Sequence, residues 1–321
     1  MNTERKVQPK FSIRWVLGAL LLLATIGLFD RWLLTFPERE ELGWTVARIN
    51  AAQIDFDARG FAPFRFVGAW RLTSSDQRFG GISALAFDAG QLVALSDSGG
   101  IIRFSPSKRT ARIGELPDGP GNNRFKINRD SEALVADPRG RGWWVSFENR
   151  DELWLYDRTF TQALQRIMLG KRPWRVNSGI EGMVAEGRSL LLLHEAGDNL
   201  IRVTETRARV MPIAGARRRL SDAVDVGGGR VLIVERQLTP FGFRNAMVEL
   251  RRARDGYSLG RRYPLPLGRQ DNVEGAAIEP LPDGGRRLWL MTDDNFHGRM
   301  RTLLIALDLP ESVSGKSLSK D

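Results

Sequence analysis

The stretch "NSGIEGMVAEG", from Asn177 to Gly187, places one glutamate, Glu181, between two glycines at the start of an apolar segment. The same pattern recurs in "RDSEALVADP" around Glu132 and in "DNVEGAAIEP" around Glu274. In each segment the apolar residues follow a charged residue and the segment closes at a glycine or proline, which is typical of a short strand followed by a turn. Three glutamates in one local context indicate a repeated structural unit.

Two more segments have the same form: "GGISALAFDAG" around Ser83 and "LSDAVDVGGG" around Asp222. When the five segments are aligned at these residues, successive repeats are 49, 49, 41 and 52 residues apart. In each repeat a second apolar segment ends in an acid; these acids are Asp97, Glu148, Glu195, Glu235 and Asp293, the last followed by Asp294. A third apolar segment follows in every repeat, and a fourth follows in all but the last.

Four short strands that recur every 40 to 50 residues are typical of an all-β protein, the β-propeller, in which each repeat forms one blade. The segments are too short for helical repeats and alternate with a period of two. The last repeat lacks its outer strand, whereas "FRFVGAWRLT", from Phe64 to Thr73, has no repeat of its own. We therefore predict that this N-terminal strand closes the ring of five blades; a sixth blade built from residues 44–80 is the alternative.

Composition excludes several kinds of functional site. The chain has no cysteine, which rules out disulfides, thiolate metal sites and cysteine nucleophiles. Its two histidines, His194 and His297, are too few for a multi-histidine zinc centre, so a metal would be bound by oxygen ligands. The net charge of +10 would suit nucleic acid, but the arginines are scattered and lack a recognition-helix pattern. We expect no nucleic-acid partner.

The N-terminal segment combines a basic flank, residues 1–14, with the uncharged run "WVLGALLLLATIGLF", residues 15–29. No Ala-x-Ala cleavage motif follows, so we predict that residues 1–36 form an uncleaved single-pass anchor in a bacterial inner membrane. The propeller would then face the periplasm; secretion after cleavage is the alternative. The predicted organisation beyond the anchor is a linker with a strand near its middle (37–62), the propeller (63–309) and a disordered tail (310–321).

Strand direction predicts that the acids of the five repeats meet at one end of the propeller. Inner strands start at one end of the central channel and second strands return to it. We call this end the mouth, and we expect Asp130 and Asp294 there with the acids aligned above. So many carboxylates require a cation among them. Oxygen ligands favour Ca²⁺, and its predicted ligands are Asp97, Glu132, Glu148, Glu181, Glu195, Asp222, Glu235, Glu274 and Asp293. A structural network with Arg129, Arg236, Arg299 and nearby asparagines is the alternative.

The motifs of the repeats also resemble a known family. They are "RFGGISAL", "LSDSGG", "DSEALV", "VSFEN", "NSGIEGM", "LIVERQL", "DNVEGAAIEP", "MTDDNF" and "RTLLIALDL". In this order and spacing, between Gly68 and Leu309, they resemble the "esterase-like activity of phytase" proteins, a bacterial family of phytase-like propellers. At position 84 this chain has alanine where the family commonly has glycine. Because successive side chains of a strand point to opposite faces, Ala84 should point away from the face of Ser83 and have little effect on the site.

The resemblance implies a metal-dependent hydrolase of a small phosphoester or ester whose identity is open. In that interpretation Glu132, Glu181, Glu274 and Asp294 bind the metal or orient water, and Arg236 or Arg299 holds the substrate. The amides of Asn177, Asn272 and Asn295 would add substrate contacts. No Gly-x-Ser-x-Gly motif supports a serine hydrolase. A periplasmic propeller that binds a ligand without catalysis is the alternative function.

Overall fold

The computed structural model describes residues 43–122, 125–148, 150–170, 179–195, 199–204, 207–215 and 219–314. Regular structure in these residues is almost entirely β-strand. The first ten strands are β1 (Thr45–Gln53), β2 (Arg65–Ser74), β3 (Ile82–Asp88), β4 (Gln91–Ser96), β5 (Gly100–Phe104), β6 (Thr110–Glu115), β7 (Ser131–Ala136), β8 (Gly142–Phe147), β9 (Arg150–Asp157) and β10 (Ala163–Met168).

The remaining strands are β11 (Ile180–Glu186), β12 (Ser189–His194), β13 (Asn199–Val203), β14 (Ala208–Ala214), β15 (Arg219–Gly227), β16 (Arg230–Thr239), β17 (Gly242–Ala253), β18 (Gly256–Pro264), β19 (Asn272–Pro280), β20 (Arg286–Asp293) and β21 (Leu303–Asp308). Short helices occur at Ala58–Phe61, Lys126–Asn128 and Glu311–Ser314. The last lies in the predicted tail, and its Val313 is buried. Within the described residues no helix is long and apolar enough to cross a membrane, and the predicted anchor lies outside them.

The strands form antiparallel four-stranded units around a ring. In the part of the chain that the structure describes, the units are β3–β6, β7–β10, β11–β14, β15–β18, and β19–β21 with β2, here called the first to fifth units. The first strand of each unit contacts the first strand of the next, and β19 contacts β3. The protein is therefore an all-β propeller with a closed ring of inner strands.

The N-terminal strand β2 completes the fifth unit, as the sequence predicted. It pairs antiparallel with β21 from Arg65 opposite Asp308 to Arg71 opposite Leu303. Strand β1, predicted inside the linker, lies between β2 and β6 and so joins the fifth unit to the first. A short parallel pairing of β14 with β18 joins the third unit to the fourth.

Apolar side chains on both faces of each unit pack against the neighbouring units. In β4, for example, Val93 and Leu95 pack with Trp143 of the second unit, whereas Leu92 and Ala94 pack with Met291 of the fifth. Strands buried on both faces read as continuous apolar runs, which explains segments such as "SLLLLH" in β12. Each fully buried leucine or isoleucine contributes roughly 1.5–3 kcal/mol, so these interfaces hold the ring together.

Candidate functional site

A β-bulge lies at the start of every inner strand. In the first, third and fifth units the bulged residue, which has no partner on the second strand, is Ser83, Glu181 or Glu274. In the second unit the irregularity spans Glu132 and Ala133. A bulge leaves one residue out of the ladder and redirects its side chain. The glutamates singled out in the sequence thus occupy one recurring backbone position, which we call the bulge position.

The acid after each second strand returns to the same end of the propeller. The backbone N–H groups of Asp97, Glu148 and Glu195 donate to carbonyl oxygens two residues before the bulge position, at 2.9, 2.6 and 3.0 Å. In the fifth unit Asp293 pairs with Asn272, again two residues before the bulge position. We call the sites of these acids return positions. Bulge and return positions together form the mouth that strand direction predicted.

The fourth unit requires a correction of one residue. Its strands pair Leu220 with Glu235 and Asp222 with Val234, so the bulge falls at Ser221. The return position is then Arg236, which pairs with Arg219. A shift of one residue turns side chains to the opposite face of a sheet. The sequence alignment took Asp222 and Glu235 as the equivalent residues because both are acidic. The strand pairing shows that Ser221 and Arg236 occupy the equivalent positions.

Asp222 and Glu235 both have structural partners instead of a place among the mouth ligands. The Asp222 carboxylate accepts the backbone N–H groups of Ala223 and Ala276, each at 2.7 Å, and so ties β15 to β19. Burial raises the pKa of Asp222 well above its usual value, although these N–H donors oppose the rise. Glu235 accepts two hydrogen bonds from Arg262 of β18, at 2.9 and 3.1 Å. Neither residue belongs to the group of described acids whose oxygens lie within 4.8 Å of one another.

Three carboxylates of the second unit are close enough to share a cation. Oxygen atoms of Asp130, Glu132 and Glu148 all lie within 4.8 Å of one another, and the three side chains are half-buried. Burial raises the pKa of Glu132 well above its usual value, and the neighbouring charges of Glu181, Asp130 and Glu148 raise it further. We call these three residues the acidic triad. Asp130 was expected at the mouth but not as a ligand; its spacing of two from Glu132 along a strand was the available signal.

Glu181 and Glu274 are buried beside the triad. Glu181 is 3% exposed. Burial raises its pKa well above the usual value, Arg236 opposes the rise, and Glu274, Glu195 and Glu148 add to it. Burial likewise raises the pKa of Glu274 to about 7, against the effect of Arg236 and of the Asn272 amide, which donates to Glu274 at 2.7 Å. The Glu274 carboxyl group can therefore exchange protons near neutral pH.

Arg236 and Arg219 bring positive charge to the side of the mouth formed by the fourth unit. Arg236 forms an ion pair with Glu274 and lies 3.6 Å from Glu195. Burial lowers the pKa of Arg236, but Glu274, Glu181 and Glu195 outweigh burial and raise it, so the guanidinium stays charged. Arg219 lies 3.2 Å from Glu195, and its side chain is 68% exposed. The predicted structural network is thus found in part, around Arg236 and Asn272.

The other predicted site residues lie at the mouth end in different settings. Burial, with the charge of Glu274 next, raises the pKa of Asp293 to about 8. The Asp294 carboxylate accepts hydrogen bonds from the N–H groups of Gly81 and Phe296 and from the Thr302 hydroxyl, at 3.0, 3.0 and 2.9 Å, and so holds the loop after β20 in place. In that loop Asn295 and Arg299 are exposed.

Asn177, Arg129 and Asn272 are the three remaining residues that the sequence predicted at the site or in its network. Asn177 lies outside the described residues. Arg129 donates to the carbonyl oxygens of Pro120 and Asn128, at 3.2 and 3.0 Å, and among the described residues it forms no ion pair with the mouth acids. The Asn272 side chain is buried, and its Oδ1 has no hydrogen-bond partner in the described part of the chain. Asn272 thus donates to Glu274 through its amide nitrogen and keeps a buried acceptor, Oδ1, beside it.

Comparison with known proteins places the chain in a family. Similar solved structures include a glutaminyl cyclase from Myxococcus xanthus, with 12% identity, TM-score 0.48, and coverage of 77% of this chain and 97% of that one. A gluconolactonase from Xanthomonas campestris has 13% identity, TM-score 0.45, and coverage of 85% and 99%. No curated protein matches the chain. The family model for "Phytase-like: Esterase-like activity of phytase" matches residues 77–296. The protein therefore belongs to this phytase-like family.

Proposed function

We propose that the protein is a metal-dependent hydrolase that cleaves a small phosphoester or ester at its mouth. The proposal rests on one observation: the second and fourth units bring opposite charges to the mouth. The acidic triad of the second unit offers oxygen ligands within 4.8 Å of one another, whereas the fourth unit has Arg219 and Arg236 at matching backbone positions. A cation on one side and the exposed Arg219 guanidinium on the other suit an anionic or polarised ester group.

The residues of the triad fit a hard cation. Ca²⁺ binds carboxylate oxygens at about 2.3–2.6 Å, so oxygens that share one ion lie at most roughly 5 Å apart. The triad meets this limit, with Asp130, Glu132 and Glu148 as the residues that would hold the ion. When bound, Ca²⁺ would neutralise negative charge on the substrate and polarise the bond that is cleaved.

The protein's own side chains supply substrate binding and proton transfer. Arg219, largely exposed, would bind the negative charge of the substrate at the rim. Glu181 interacts electrostatically with the triad on one side and with Arg236 and Glu274 on the other. Burial raises its pKa, which makes the carboxylate a stronger base, and we assign Glu181 the role of general base. Arg236, paired with Glu274, holds the acids in place rather than contacting substrate.

We further propose that each four-stranded unit is one blade, which gives a five-bladed propeller, and that residues 1–36 anchor it in a bacterial inner membrane with the propeller in the periplasm. The basic flank and uncharged run before Phe36 support the anchor and its orientation. The partners would then be the membrane and a small-molecule substrate, without nucleic acid.

A second candidate function is binding without catalysis. The ion pair of Arg236 with Glu274 favours it, because this pair compensates acidic charge in the absence of any metal. A propeller with such a network would still present a polar concave end to a ligand.

The first experiment is thermal unfolding of the full chain in detergent, after chelation and with added Ca²⁺. At a free concentration a hundred times the Kd, Ca²⁺ should stabilise the native state by about 2.7 kcal/mol. The melting temperature should then rise by roughly 5–10 °C. The Glu132→Gln variant should lose this response. Glu235→Gln, the matched control, should keep it, since Glu235 pairs with Arg262.

Hydrolysis is then measured with p-nitrophenyl phosphate and with neutral p-nitrophenyl acetate, each with Ca²⁺ and with chelator. Cleavage that requires Ca²⁺ and is lost in Glu132→Gln supports the proposal. Binding of Ca²⁺ without cleavage of either compound class would favour the second candidate. If Ca²⁺ stabilises neither parent nor control, the acids form a structural network and the metal-dependent function is wrong.

A further inference from the structure

The described chain starts at the mouth end of the propeller. The carbonyl oxygen of Gly43 accepts a hydrogen bond from Arg78 at 3.3 Å, and the Thr45 hydroxyl donates to Asp76 at 2.9 Å. Asp76 and Arg78 belong to the connection between β2 and β3, which leads directly to the mouth at Gly81. Strand β1 agrees with this placement, because Thr45 pairs with Ile113 near the mouth end of β6.

A short connection from a membrane anchor would therefore reach the mouth end first. The predicted anchor ends at Phe36, and the seven residues from there to Gly43 span at most about 25 Å when fully extended. A strand of seven residues is itself about 23 Å long. To turn the mouth away from the bilayer, the connection would have to run along the full height of the propeller.

The loops at the mouth end expose large apolar side chains. Leu238 and Phe241, at the tip of the β16–β17 hairpin, are 71% and 68% exposed. Phe296, in the loop after β20, is 46% exposed, and Phe125, before β7, is 41% exposed. At the opposite end, the β3–β4, β11–β12 and β15–β16 turns consist of alanine, glycine and arginine, at 89–90, 187–188 and 228–229.

Exposed arginines lie at the same end of the propeller as these apolar residues. The Arg269 guanidinium lies 5.3 Å from the centre of the Phe241 ring. Other exposed arginines at this end are Arg219 at the start of β15, Arg244 near the start of β17 and Arg299 in the loop after β20. Aromatic and leucine side chains with arginines beside them are the combination that binds the surface of an anionic bilayer. The apolar groups enter the boundary of the acyl chains while the guanidinium groups attract the headgroups.

We propose that the mouth end is a membrane-docking surface, with Leu238, Phe241 and Phe296 inserted into the interface of a bilayer that contains anionic lipids. The proposal rests on the anchor included in the proposed function. It does not depend on catalysis. The mouth would then open toward the lipid surface, and the β11–β12 turn would point away from it.

The absence of cysteine from the chain allows a direct test. The full chain carrying either Phe241→Cys or Arg188→Cys is labelled with a polarity-sensitive fluorophore and reconstituted in vesicles of phosphatidylcholine and phosphatidylglycerol. Spin-labelled lipids quench fluorophores near the bilayer. We expect the label at 241 to be blue-shifted and quenched at least threefold more than the label at 188. Replacing the anionic lipid with phosphatidylcholine should reduce this quenching.

A second variant separates the docking surface from the anchor. Arg244→Glu with Arg269→Glu should lower quenching at 241 without releasing the chain from floating vesicles. Equal quenching at both labels, or stronger quenching at 188, would overturn the proposal. An unquenched label at 241 on a chain that floats would also overturn it and leave the anchor intact. If the chain does not float with the vesicles, the predicted anchor is wrong. If the label at 241 is then also unquenched, the docking proposal is wrong as well. None of these outcomes depends on the hydrolysis measurement, which is made in detergent.

Discussion

The second and fourth units have the same strand order and the same bulge at the start of the inner strand, yet they bring opposite charges to the mouth. Where the second unit has Asp130 and Glu148, the fourth has Arg219 and Arg236. The bulge position itself changes from Glu132 to Ser221. The feature that the units share is thus the β-bulge, which directs side chains to one end of the propeller. The residues at that end can differ in charge from one unit to the next.

This difference explains how one mouth can hold so many buried carboxylates. Carboxylates at short range raise one another's pKa, as they do at Glu132. The guanidinium of Arg236 lowers the pKa of Glu274 and Glu181 against the effect of burial. The fourth unit therefore supplies counter-charge to these buried acids. The second unit brings the acidic triad to the mouth, and the spacing of its oxygens suits a shared cation.

The largest effect should follow from removing that counter-charge. Arg236→Met would leave Glu274 without its guanidinium partner in buried surroundings, and we expect the free energy of unfolding to fall by about 4 kcal/mol at neutral pH. Urea unfolding measures the change. Arg244→Met, an exposed arginine at the same end, is the control and should cost less than about 1 kcal/mol.

The pH dependence of this loss provides a second measurement. Glu274 has a pKa of about 7 in the folded protein, above its usual value of 4.5. A raised pKa favours the folded state at low pH, and that contribution disappears as the pH rises through 7. Without Arg236 the pKa of Glu274 rises further, so variant and parent should be most alike near pH 5 and differ most above pH 8. A loss that is equal at both pH values would contradict the assigned role of Arg236.

A smaller effect should follow from Asp222→Asn. An asparagine has one acceptor oxygen in place of two, so either Ala223 N–H or Ala276 N–H would lose its partner. A buried unsatisfied donor costs about 2 kcal/mol. Urea unfolding should show this loss, and the stabilisation by Ca²⁺ should be unchanged. If the variant has normal stability but no longer responds to Ca²⁺, Asp222 is a metal ligand after all. The strand register assigned to the fourth unit would then be wrong.

Much of this architecture was predictable because strand repeats, turns and the missing outer strand of the last repeat are all local features of the sequence. The closing role of β2 followed from counting strands. The meeting of acids at one end followed from strand direction alone. Two-face burial made the apolar runs easy to find, since each strand packs against two neighbouring units.

The fourth unit shows where such prediction stops. In the sequence, Asp222 and Glu235 look like the acids of the other repeats, and nothing local reveals that the bulge lies at Ser221. Register depends on pairing between strands, and a shift of one residue exchanges the two faces. Likewise, the Asp294 carboxylate accepts hydrogen bonds from Gly81, which is distant in the sequence, and from Thr302, which lies across a loop. Its structural role could therefore not be inferred from its neighbours in the sequence.

The smallest effect on stability, with a clear effect on function, should come from Arg219→Gln. Its side chain is 68% exposed, so the ion pair with Glu195 is screened by water and its loss should cost less than about 1 kcal/mol. If Arg219 binds the negative charge of the substrate, the KM for p-nitrophenyl phosphate should rise about tenfold, which corresponds to about 1.4 kcal/mol of binding. The KM for neutral p-nitrophenyl acetate should not change. Equal effects on both compounds would mean that Arg219 shapes the mouth without recognising charge, and the contrast between the second and fourth units would then be structural rather than functional.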